Sequence, residues 1–225
     1  MLLWPLILAQ GMAARARVPK LPEPPGARQG MAGDGPPLKL LIIGDSAAAG
    51  VGALHQDEAL LGQLVSSLSP HYQVIWKLHA QTGDTTAAAL ARLDALAPEH
   101  FDVVVTSLGV NDVTGMVGLG NWRKQQAQLR RVLLNKFSVN KILVSGLPPI
   151  HAFPALPQPL RWHLGSRATE FDASLRQDLA AESRAMFIDV RFTADTKLMS
   201  HDGFHPGPGV YAKWAKLLAD AIQSG

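Results

Sequence analysis

Residues 38–46 read LKLLIIGDS: six residues, five of them apolar, closed by Gly44-Asp45-Ser46. A run this short and this apolar, ended by a glycine, predicts a strand buried on both faces, as strands are inside a parallel sheet. The pattern recurs downstream. Residues 72–78, 102–108, 141–145 and 185–190 read as four more strands. Helical periodicity falls between them. Leu60, Leu61, Leu64, Val65 and Leu68 repeat at i, i+3, i+4 within 58–68, and 86–96 follows Asp84 or Thr85 as N-cap. Asn121 is expected to cap a helix over 121–137. The stretch 146–159 holds five prolines and reads as a long loop, with a helix after it from 160 or 168 to 184 and a last one over 210–222. Five strands alternating with helices predict an α/β fold, a parallel sheet with helices on both faces.

Upstream of this block the chain changes character. Residues 1–14 (MLLWPLILAQGMAA) are apolar but too few for the roughly 20 that a membrane-spanning helix needs. Arg15, Arg17 and Lys20 follow the apolar stretch rather than precede it, the reverse of a secretory signal. That order argues against export and favours an intracellular or membrane-associated location. The readings that remain are a segment docked on the domain or making peripheral membrane contact, an atypical signal, and an apolar tail. Residues 19–37 (PKLPEPPGARQGMAGDGPP) are so rich in Pro and Gly that no helix or strand interior is expected there. The expected division is therefore an N-terminal segment and linker over 1–37 and one folded domain over 38–225.

Composition narrows the chemistry. The 225 residues contain no cysteine, which removes disulfides, thiolate nucleophiles and Cys-ligated metal centres. A net charge of +3, from 21 basic and 18 acidic residues, is a weak excess with no basic run interleaved with aromatics, so no nucleic-acid partner is expected.

In parallel α/β sheets function collects in the loops at the carboxyl ends of the strands. Strand one leads into Ser46, where a hydroxyl would stand free as a nucleophile needs, although Gly-Asp-Ser also makes an ordinary strand-to-helix turn. After strand two comes Gly83 before a helix start, where a backbone N–H can face an oxyanion, or simply begin the helix. Strand three ends in Gly109-Val110-Asn111-Asp112. The Asn111 carboxamide is a neutral donor suited to a developing oxyanion, and equally suited to an Asx turn. Near the C-terminus, Asp202 and His205 stand three apart, close enough for the carboxylate to fix the imidazole tautomer. Together these supply a nucleophile, a base, an acid to orient it and three oxyanion donors: the Ser46 N–H, the Gly83 N–H and the Asn111 side chain.

Four blocks, Gly44-Asp45-Ser46, Gly83 within Thr-Gly-Asp-Thr, Gly109-Val110-Asn111-Asp112 and Asp202-Gly203-Phe204-His205-Pro206, resemble the SGNH (GDSL) hydrolase superfamily in order and content. The likeness runs from about residue 38 to the C-terminus and is greatest to bacterial esterases of the lysophospholipase/thioesterase type. It implies a three-layer, flavodoxin-like fold with five parallel strands and neither metal nor cofactor. It also implies Ser46 as nucleophile, His205 as base and Asp202 as its partner, with the three donors above as oxyanion hole. Ala47 departs from the leucine of the GDSL name, which alters the wall beside the serine.

The implied reaction is hydrolysis of short- to medium-chain acyl esters through an acyl-enzyme, the partner being a small acyl ester. Ala47, Phe153 and Leu156 are expected to line its acyl site, the last two from a proline-stiffened apolar loop over 147–162. The same blocks fit a carbohydrate O-acetylesterase. Two other readings stay open: a metal-dependent hydrolase using His201, Asp202 and His205, and a non-catalytic acyl-binding module. Gly44-x-Ser46-x-Ala48 lacks the final glycine of an α/β-hydrolase elbow.

Overall fold

Side chains alternate along the first core strand, and the computed structural model, which describes residues 3–191 and 195–224, shows both faces covered. In chain order the elements are α1 (Trp4–Arg17), β1 (Gln29–Ala32), β2 (Pro37–Gly44), α2 (Ser46–Ala49), α3 (Leu60–Leu68), β3 (Gln73–Ala80) and α4 (Thr86–Ala95). They continue with β4 (Val103–Ser107), α5 (Val110–Thr114), α6 (Leu119–Lys136), β5 (Lys141–Ser145), α7 (Leu160–Leu179), β6 (Ala185–Ile188) and α8 (Pro208–Gln223). Leu41 and Ile43 of β2 point into a core shared with α4, α6 and α7. Leu40 and Ile42 point the opposite way, into a core shared with α3 and α8. The result is three layers, as an alternating, wholly apolar strand requires.

The sheet has six strands in the order β1-β3-β2-β4-β5-β6. The five from β2 onward are parallel and follow the flavodoxin-like order, while β1 pairs antiparallel with β3, Gln29 opposite Lys77 through Ala32 opposite Val74. This corrects the expectation of five strands and of a linker without structure. Gln29–Ala32 contains no proline, and an edge strand needs only one partner. Gly30 fits because a Cβ there would lie 2.4 Å from the Trp76 ring.

Other boundaries move for local reasons. The α6 helix starts at Leu119 after Gly118, whose carbonyl accepts the Trp122 N–H (3.0 Å), so Asn121 lies inside the helix rather than capping it. Thr85, not Asp84, caps α4, its Oγ1 accepting the Ala88 N–H (3.2 Å). The α7 helix begins at Leu160 and stops at Leu179. Residues 1 and 2 of the apolar segment lie outside the described residues. The rest of it is mostly α1, which rests on α7 through buried Ile7 and through Gln10, whose side chain donates to the Gln158 carbonyl (2.7 Å) and accepts the Leu160 N–H (3.1 Å). Trp4, Leu6, Leu8 and Met12 of α1 are exposed. No helix among the described residues is long and apolar enough to cross a membrane.

Candidate active site

The switch point of the sheet lies between β2 and β4, where strand order reverses, and both strands end there in a single helical turn. At the end of β2 only glycine fits. A Cβ on Gly44 would stand 2.4 Å from the Ala48 Cβ and 2.5 Å from the Ser107 carbonyl oxygen. The Asp45 N–H donates to that carbonyl (3.2 Å), tying the ends of β2 and β4 together. Asp45 then caps α2, its carboxylate accepting the Ala47 N–H (3.0 Å). Ser46 is the first residue of that turn, and its own N–H has no acceptor among the described residues.

On the loop before α8, Asp202 is buried and saturated. Its Oδ1 accepts the N–H groups of Phe204 (2.9 Å) and His205 (3.0 Å), and its Oδ2 accepts from His205 Nδ1 (2.6 Å). Because a carboxylate only accepts, Nδ1 carries the ring proton and Nε2 is left as an acceptor. Nε2 faces the Ser46 hydroxyl at 3.0 Å. Burial alone would raise the Asp202 carboxyl, but the hydrogen bonds from the His205 ring and the two N–H groups outweigh it and hold it below the usual range. Asp45 shows the opposite balance: burial pushes it up to about 7, against the Ala47 N–H and the His205 charge, with Asp112 and Asp84 adding to the rise.

The loops of the other two expected residues, after β3 and after β4, meet across the end of β2. Gly83 sits at φ +88° with its N–H unengaged, and a Cβ there would meet open space. The Asn111 side chain donates one amide proton to the Asp84 carbonyl (2.9 Å), leaving the second free. Asp112, fully buried, accepts from the N–H (3.0 Å) and hydroxyl (3.0 Å) of Thr86, so the turn that carries Asn111 is bolted to the start of α4.

Beside Ser46 and His205 opens a cavity with about 60 Å³ of free space, lined mainly by apolar side chains that include Ala47, Val110, Leu147, Phe153 and Phe204. Phe204 packs edge-on between the rings of Phe153 and His205, 5.2 Å from each. Leu156 does not reach it. That correction has a plain cause: the loop turns back after Phe153, and Leu156 is buried in the core with Ile150 and Leu160. Trp162 is 60% exposed on α7. His201 is exposed, and no group of three or more His, Cys, Asp or Glu among the described residues is placed to hold a metal ion.

Two residues beside the site escaped the sequence reading. Phe204 stood inside a block read only for its Asp and His. Glu23 lies among prolines, where no local pattern marks it, yet its carboxylate binds the residue before Gly83.

Comparison with known proteins bears on the whole domain. Residues 42–213 match the model of the GDSL-like lipase/acylhydrolase family. A GDSL-like esterase of Mycobacterium tuberculosis is 28% identical over 97% of this chain and 76% of its own. Among solved structures, an inhibitor-bound aryl esterase of M. smegmatis superposes with TM-score 0.63 at 21% identity, over 83% of this chain and 99% of that one. A carbohydrate acetylesterase family member from Sinorhizobium meliloti superposes with TM-score 0.61 at 21% identity, over 83% and 98%. The chain belongs to the GDSL-like lipase/acylhydrolase family and is a carboxylic ester hydrolase.

Proposed function

We propose that the protein is a serine esterase acting on short- to medium-chain acyl esters through an acyl-enzyme. The observation that carries this reading is the unbroken chain from Ser46 Oγ to His205 Nε2 at 3.0 Å and from His205 Nδ1 to Asp202 at 2.6 Å. His205 Nε2 takes the Ser46 proton as Oγ bonds to the ester carbonyl carbon. The carbonyl oxygen becomes an oxyanion, held by the N–H groups of Ser46 and Gly83 and the free amide proton of Asn111. As the intermediate collapses, the bond to the alcohol oxygen breaks and the imidazolium gives its proton to the leaving alcohol. Water then attacks the acyl-Ser46 carbonyl and gives a proton to His205. The Oγ–acyl bond breaks, and the proton returns to Ser46. Asp202 stays ionised throughout and stabilises the imidazolium.

The cavity supports the chain-length part of this reading. About 60 Å³ of apolar-lined space suits a short acyl chain and offers few polar partners to a sugar. Initial rates on p-nitrophenyl esters from C2 to C16 should peak at short or medium chains and vanish in Ser46→Ala. Asn111→Ala, which removes one oxyanion donor, should retain slow turnover reduced roughly 10²- to 10³-fold. Full activity in Ser46→Ala, or a steady rise to C16, contradicts the reading. An acetyl group is small enough for either reading, so serine-dependent release of acetate from acetylated xylooligosaccharides, faster than from simple acetate esters, would favour the carbohydrate esterase instead.

A further inference from the structure

Gly83 raises a question of support. Its N–H has no acceptor, it is exposed, and nothing lies within 4 Å of the place a Cβ would occupy, so its own surroundings do not hold it in place. Asn111 and Arg92 hold the residues on either side of it from within, and the residue immediately before it is held by the Pro/Gly-rich segment that precedes the core. Glu23 Oε1 accepts both the N–H (2.7 Å) and the hydroxyl (2.8 Å) of Thr82, the residue immediately before Gly83. Its other oxygen accepts from Arg28 Nη1 at 2.7 Å. Arg28 Nη2 donates to the carbonyl of Ala80, the last residue of β3, and the Arg28 carbonyl accepts the Leu78 N–H (2.7 Å). One ion pair thus spans the exit of β3 and grips the loop on both sides of Gln81.

The same segment also reaches the serine side of the site. Pro24 is buried against Gly50, the residue that closes α2, and the Pro25 carbonyl accepts the Gln56 N–H (3.0 Å). Gln56 in turn donates to the carbonyl of Ala49, at the end of α2 (2.9 Å). On the inner side, Arg92 donates to Gln81 Oε1 (2.7 Å) and pairs with Asp84, so the loop is held between two arginines and one glutamate. Burial would raise the Glu23 carboxyl, but the Thr82 and Arg28 partners outweigh it and keep it ionised.

We propose that Glu23, braced by Arg28, is a positioning residue for the reaction: by fixing Thr82 it aims the Gly83 N–H at the oxyanion, so residues 23–32 act as an outer strap of the active site rather than as a linker. This rests on the esterase reading above. Hydrogen-bond donors stabilise a developing oxyanion only when aimed beforehand, and a loop free to swing forfeits most of that stabilisation while leaving substrate binding intact. Strap loss therefore acts on kcat and spares KM.

The test is steady-state kinetics on p-nitrophenyl acetate with the full chain and its Glu23→Ala and Glu23→Gln variants, beside Ser46→Ala. Glu23→Ala should lower kcat by about 10- to 100-fold with KM within threefold, less than outright removal of a donor. Glu23→Gln keeps an acceptor for Thr82 and should recover most of kcat. Affinity for a trifluoromethyl ketone, whose serine adduct bears an oxyanion, should fall in proportion to kcat/KM across the series, a dependence that a purely structural strap would not produce. Wild-type kcat in a folded Glu23→Ala protein, or a rise in KM alone, overturns the assignment. Unreduced activity in Ser46→Ala overturns the esterase reading, whereas an inactive Ser46→Ala beside an unaffected Glu23→Ala overturns only the strap.

Discussion

Two buried aspartates at the site are driven apart by their partners. Asp202 accepts three hydrogen bonds and stays ionised; Asp45 accepts one, from Ala47, and is pushed up to about 7. An acid whose pKa is raised by folding binds protons more tightly folded than unfolded. Its protonated form adds no penalty at low pH, and stability falls as pH rises from about 4 through 7. The full cost above pH 7 is on the order of 4 kcal/mol. Asp45→Asn keeps the cap on Ala47 and removes the titration. Its unfolding free energy relative to wild type should therefore rise by a few kcal/mol between pH 5 and pH 8, measured by urea denaturation. Parallel curves would show that Asp45 is not the group responsible. The sequence shows these residues clearly because each site block is compact and lies at the end of a strand or just before the last helix, and the fold brings Ser46, His205 and Asp202 within hydrogen-bond reach of one another and Asn111 onto the loop of Gly83. Leu156 shows the limit. An apolar residue in a proline-rich loop looks the same whether it faces a cavity or the core, and only the turn after Phe153 decides.

At the scale of elements, periodicity makes the long helices and buried strands legible and hides the short ones. The α2 and α5 turns, of four and five residues, are too brief to show a helical period, yet they carry Ser46 and Asn111. Polar bolts hold them in addition to the few apolar residues they bury, Ala48 and Ala49 of α2 and Val113 of α5. Thr86 at the start of α4 gives its N–H and hydroxyl to Asp112 of α5, and its hydroxyl accepts from Gln126 of α6 (3.1 Å), so three helices meet at one threonine. Thr86→Val preserves shape and the N–H bond to Asp112 but leaves Gln126 without its acceptor and removes one of the donors to Asp112 Oδ2. It should cost about 1–3 kcal/mol of stability, seen as a lower urea midpoint. An unchanged midpoint would mean the junction is held by packing alone. The edge strand β1 escaped notice for a related reason: its pairing with β3 is set by Trp76 over Gly30 and by Arg28, neither of which is written in the local pattern.

Across the whole molecule, a sheet with strand order reversing between β2 and β4 brings four sequence blocks, spread over some 160 residues, to one edge of the fold. The segment before residue 38 contributes more than expected because its partners are distant in sequence: Glu23 is 59 residues from Thr82, and Gln10 is 150 from Leu160. In the proposed reaction Ser46, activated by His205, forms a covalent bond to the substrate. The measurement that tests it most directly is intact-mass and peptide mapping after exposure to a fluorophosphonate. One adduct per chain, located on Ser46 and formed far more slowly in His205→Ala, is the predicted result. No adduct, an adduct on another residue, or equal labelling without His205 would contradict it.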